Sequence, residues 1–156
     1  MTKFFLAAAA VILVAAFLAP AAAIAGKGEA ARIEAEYGEI GKNIQPRPPR
    51  TPEGTNWWLY DVTLREKTGL VGVTVESWQK CYQGVGIMTC DPRRDNIKEL
   101  FGTDRLPPGG MIRLRRPAWV WAEPTGNDYK VRGTYYGRDD NGNKVEAVYW
   151  LGVTSN

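Results

Sequence analysis

Between residues 56 and 153 the chain alternates apolar and polar residues in run after run, and Gly, Pro and Asn fall between the runs. A period of two puts alternate side chains on opposite faces, so each run reads as a half-buried strand. Trp58, Tyr60, Val62 and Leu64 alternate with Leu59, Asp61, Thr63 and Arg65, and residues 66–69 make a turn. Val71, Val73 and Val75 open a second strand that runs to about Tyr82, and a short third run leads through Ile87 and Met88 to Cys90. After the turn at residues 106–110 (LPPGG), Ile112 and Leu114 point inward while Arg113 and Arg115 point out. Trp119 and Trp121 continue a strand beyond Pro117. Tyr129, Val131, Gly133 and Tyr135 alternate with Lys130, Arg132 and Thr134, and Val145, Ala147, Tyr149, Leu151 and Val153 close the chain as a long alternating strand. About seven strands separated by such turns predict a mainly β fold, a two-sheet antiparallel sandwich.

One helix interrupts the pattern. Asp91 stands where an N-cap belongs, Pro92 at the first helical position and Gly102 just past the end. Ile97, Leu100 and Phe101 fall on one face, which predicts a short helix of two to three turns.

The N-terminus carries an address. Lys3 precedes an uncharged, apolar stretch from Phe4 to Ala25 that ends in the small-x-small triplet Ala23-Ile24-Ala25. This order of charge, apolar run and small residues predicts a signal helix over residues 1–25, cleaved before Gly26. Left uncut, residues 4–25 are long enough to anchor the chain in a membrane with its body facing outward. The predicted location is periplasmic or secreted. Residues 26–55 read as a polar leader and then a proline-rich linker, with Ile33, Tyr37 and Ile40 hinting at a short helix. Residues 56–156 form the predicted domain.

Composition removes several function classes. There are 20 Lys and Arg against 17 Asp and Glu, and histidine is absent. So small a surplus, on an exported chain, argues against nucleic acid. Without histidine, Ser77 and Ser155 lack the usual activating base, and no carboxylate pair is nominated by spacing. The expectation is therefore a protein that is not an enzyme and needs no cofactor. Cys81 and Cys90 lie close in sequence, which in an exported chain predicts a disulfide.

The turn at 106–110 before the Ile112–Leu114 run and the closing hairpin through 139–143 make segment 57–153 resemble the immunoglobulin-like and fibronectin type III-like sandwiches of bacterial exported proteins. That resemblance implies adhesion, spacing or subunit packing, with no catalytic residues to carry over. Cys81 and Cys90 depart from it, being too close to form the inter-sheet pair of antibody-type domains.

Three residue sets are candidates for a site. Trp78 and Trp150 fall on nominally polar strand faces, where exposed rings stack on sugars. Arg113, Arg115 and Arg132 would form a basic patch if their strands paired. Asp139, Asp140 and Asn141 invite a calcium ion, although Asn141-Gly142 between strands is better explained as a hairpin turn. The function expected is an exported, non-enzymatic binding or assembly module of the cell envelope with a protein partner or self-association. Carbohydrate binding through tryptophan is the alternative, and hydrolysis a third.

Overall fold

Strand β2 (Asn56–Glu66) shows how the alternation becomes a core: Trp58, Tyr60, Val62, Leu64 and Glu66 are all buried, while the residues between them, from Leu59 to Arg65, are half-exposed. The computed structural model describes residues 28–84, 86–122 and 128–153. The signal-like segment lies outside them. Among the described residues there are nine strands and one short helix, and no helix is long and apolar enough to cross a membrane.

Two antiparallel sheets form. In the first, β2 pairs on one side with β1 (Ile33–Lys42) and on the other with β6 (Met111–Arg113) and β7 (Ala118–Ala122). In the second, β3 (Val73–Gln83) lies between β8 (Tyr129–Asp139) and the short strands β4 (Met88–Cys90) and β5 (Arg105–Leu106); β9 (Lys144–Val153) pairs with the far side of β8. One apolar cluster joins the inner faces: Tyr60, Val62 and Leu64 from the first sheet, Val75, Val131, Tyr135 and Tyr149 from the second. Strand β9 alternates exposed and buried along its whole length, as its sequence predicts. Gly133 is required by packing, because any Cβ there would run into the Tyr149 ring lying across β8.

The leader belongs to the sheet. Residues 33–42, expected as polar linker with a short helix, form β1, and the proline-rich residues 45–54 make the loop that returns the chain to β2. Two small residues hide the alternation here. Ala31 and Ile33 are core residues, Ala35 packs against the core, and Tyr37 lies 6.2 Å from Tyr149 between ring centroids. The i, i+4 spacing of Ile33 and Tyr37 fits a helix as well as a strand. The long partner strand offered by β2 decides between them.

The predicted helix starts late. Only Ile97–Phe101 is helical (α1), with Asn96 at its N-cap and left-handed Gly102 ending it as expected. The residues expected to open it instead run beside β3, where Trp78 N–H donates to the Arg94 carbonyl at 2.8 Å and Arg94 N–H to the Trp78 carbonyl at 2.9 Å. Pairing with β3 satisfies backbone groups that a first helical turn would leave orphaned.

One side chain clamps both chain crossings at one end. Residues 67–72 carry the chain from the first sheet to the second, and residues 107–110 carry it back. Glu66, 1 % exposed, accepts hydrogen bonds from Thr68 N–H (2.8 Å), Thr68 Oγ1 (2.6 Å), Gly69 N–H (2.8 Å) and Gly109 N–H (2.7 Å). Burial alone would push its carboxyl up; the Thr68 hydroxyl and the Gly109, Thr68 and Gly69 amides outweigh it and hold the pKa at about 2.

Candidate functional site

The site originates in one unpaired residue. Along β3 and β8, Val75 faces Gly137 but Ser77 faces Tyr136, so Glu76 is a β-bulge with no partner in the β8 ladder. One extra residue reverses the parity of everything after it. Trp78, Lys80 and Tyr82, which uninterrupted alternation places outside, thus pair with Tyr135, Gly133 and Val131 and face the space between the sheets. Gly137 allows the bulge, since a Cβ there would strike the Thr74 backbone.

The inward-turned residues line a cavity of about 960 Å³. Trp78 and Tyr82 of β3, Tyr135 of β8 and Tyr149 of β9 line it from the second sheet; Tyr60 of β2 and Ala118, Val120 and Ala122 of β7 line it from the first. The rings are mutually braced. Tyr149 O–H donates to Tyr60 Oη at 3.3 Å, and Tyr135 stacks on Tyr149 with centroids 6.3 Å apart. Burial pushes the Tyr60, Tyr135 and Tyr149 hydroxyls above their ordinary range, so all three are neutral at physiological pH. Trp78 is fixed by a 2.8 Å hydrogen bond from Nε1 to Oδ1 of Asn96, another lining residue.

Lys80 is the charged side chain that the bulge turns inward on β3. Its Nζ lies 5.5 Å from the Tyr60 ring centroid and 5.9 Å from that of Trp78, and donates to the Trp119 carbonyl oxygen at 3.4 Å. Burial pushes its pKa down; the charges of Tyr82 and Asp91 oppose that and Arg94 adds to it. Arg50, Arg94 and Arg116 are exposed lining residues, with Arg94 5.6 Å over the Trp78 ring. The cavity's single acidic lining residue among those described, Asp91, accepts a 3.4 Å hydrogen bond from Tyr82 Oη.

The residues nominated from sequence scatter. Trp78 lines the cavity, whereas Trp150, 44 % exposed, lies on the outer face of the second sheet with Arg132 5.9 Å over its ring. The two tryptophans are therefore on opposite faces of one sheet and cannot form one sugar platform. The basic patch does not assemble either. Arg113 sits on β6 in the first sheet, ion-paired with Asp61, and Arg132 on β8 in the second; Arg115 lies beyond β6, its N–H bonded to the Leu100 carbonyl at 2.9 Å.

The carboxylates of the calcium candidate are engaged by the protein. Asp139 accepts from Ala31, Asn141 and Asn143 N–H and from the Asn143 amide, and Asp140 takes a bidentate pair from Arg105 at 2.6 Å. Residues 139–143 work as a hairpin turn between β8 and β9. The disulfide forms as expected: Cys81 and Cys90 are directly opposite on β3 and β4.

Sequence reasoning missed Lys80, Tyr60 and Tyr82 as site residues. A signal existed in the change of parity from Val73 and Val75 to Trp78 and Tyr82, which places large apolar and aromatic groups first on odd and then on even positions.

No family model and no curated protein matches the chain. The solved structures similar in fold include two with TM-scores above 0.5. The putative ApaA protein from Bordetella pertussis has a TM-score of 0.58 at 13 % identity, covering 80 % of this chain and 94 % of that one. The Northeast Structural Genomics Consortium target SoR45 has a TM-score of 0.54 at 14 % identity, covering 80 % and 86 %. At these identities the likeness extends to the two-sheet β architecture alone.

Proposed function

We propose that this protein is an exported, non-enzymatic binding module of the cell envelope, an immunoglobulin-like sandwich that holds its ligand between its sheets. The observation that carries the reading is the inter-sheet cavity, which is large enough for a small molecule and walled by braced side chains; ligand sites typically measure about 300–1,000 Å³. The disulfide between β3 and β4 and the signal-like N-terminus support export. Binding is favoured over turnover because Lys80 Nζ meets a backbone carbonyl and ring faces, with no acid or base in hydrogen-bond reach among the described residues. The test begins with fractionation of cells expressing the full chain. A chain starting at Gly26 with Cys81 and Cys90 joined, found outside the cytoplasm, is expected; a reduced, full-length cytoplasmic chain would refute export. Native mass spectrometry of the exported protein should then show a bound small molecule that Ala118→Phe, which fills the cavity, displaces.

A further inference from the structure

We infer that the cavity takes a monoanion, a carboxylate carried on a flat apolar body, with its charged head against Lys80 and its body among the tyrosines and Trp78. This rests on reading the cavity as the binding site. Lys80 Nζ has one long bond to a backbone oxygen and two ring faces, and no carboxylate pairs with it among the described residues. A cation set among ring faces with a single carbonyl partner is stabilised when an opposite charge joins it. Asp91, the only acidic lining residue among those described, bonds the Tyr82 hydroxyl and acts on Lys80 without an ion pair, so the cationic lining residues outnumber it.

The sign of charge is favoured by the other lining residues as well. Three arginines among the lining residues, Arg50, Arg94 and Arg116, are exposed and attract an anion before it reaches Lys80. The amount of charge follows from the single ammonium among the rings: a singly charged head matches it, and a doubly charged head costs more to desolvate there. A cationic ligand would meet the Lys80 ammonium on the same ring faces. Apart from Asn96, the rest of the wall is aromatic and aliphatic, which suits a planar body of two fused rings better than a polyhydroxylated one.

The experiment is calorimetric titration of the intact, oxidised full chain with four probes sharing one body: 2-naphthoate, 2-naphthylmethanol, 2-naphthylmethylammonium and 2-naphthyl phosphate. Naphthoate should bind about tenfold or more tightly than the alcohol, with the ammonium weakest and the phosphate below the carboxylate. In Lys80→Met the preference of carboxylate over alcohol should vanish while the alcohol still binds, and Lys80→Arg should retain the preference. Equal binding of carboxylate and alcohol to the wild type, or tighter binding of the phosphate, overturns the ligand class but leaves the cavity as a binding site. A preference that survives in Lys80→Met overturns the role of Lys80. Failure of every probe removes the ligand class, and the native mass spectrum decides the binding reading separately. Should Lys80→Met not fold, the wild-type ranking and Lys80→Arg decide the outcome.

Discussion

Replacing Glu66 by Gln keeps its shape and removes its charge, which isolates the clamp between the two sheet crossings. The carboxylate receives four donors, two on each oxygen: Thr68 N–H and Oγ1 on Oε1, Gly69 and Gly109 N–H on Oε2. Whichever way the substituted amide turns, its NH2 faces donors. If it takes the Oε2 place, the Gly69 and Gly109 amides both lose their acceptor. Bonds to a charged group contribute about 1.5–3 kcal/mol each, and water reaching the turns returns part of that. The expected loss is about 2–4 kcal/mol near neutral pH.

The pH dependence provides the sharper test. The carboxyl titrates at about 2 in the fold against 4.5 when unperturbed, so its contribution is complete above 4.5 and disappears as pH falls toward 2. The amide of the variant cannot titrate. The gap between wild type and Glu66→Gln should therefore shrink by more than half, roughly, from pH 6 to pH 3. Urea unfolding followed by tryptophan fluorescence at about pH 6, 5, 4 and 3 measures it. A variant within about 0.5 kcal/mol of wild type at pH 6, inside the range of ordinary surface substitutions, would refute the clamp. So would a gap that stays constant across the whole acid range.

Two further perturbations address the site's framework. Gly137→Val puts a branched side chain against the β3 backbone at the bulge; a loss of about 1–3 kcal/mol in urea unfolding is expected, with weakened naphthoate binding in the same variant. Replacing both cysteines by serine opens a link of sequence separation 9 and should lower stability by about 2.5 kcal/mol in the same assay, without changing the far-ultraviolet circular dichroism.

How legible the molecule was depends on the length and purity of each run. Strands β2, β8 and β9 carry long alternating stretches, each anchored by several large apolar residues, and their buried faces largely follow the alternation read from sequence. Strand β1 has alanine on its inner face, so its pattern is too faint to separate strand from helix. The site was the least legible part. Its central lysine reaches the interior because Glu76 is left out of the pairing, and a bulge changes no local propensity.

The sequence alone determined which segments are extended and, within each unbroken run, which side chains share a face, because the face of a residue follows from its own backbone. The closing of Cys81 on Cys90 was also readable, from spacing and expected compartment. Tertiary structure decided which strands pair, that residues 33–42 join the first sheet, and that residues 91–96 align with β3 instead of entering the helix. It also decided the parity reversal at Glu76 that turns Lys80 and Trp78 inward. Register and bulges are properties of a strand and its neighbour together, so they appear only once the neighbour is in place.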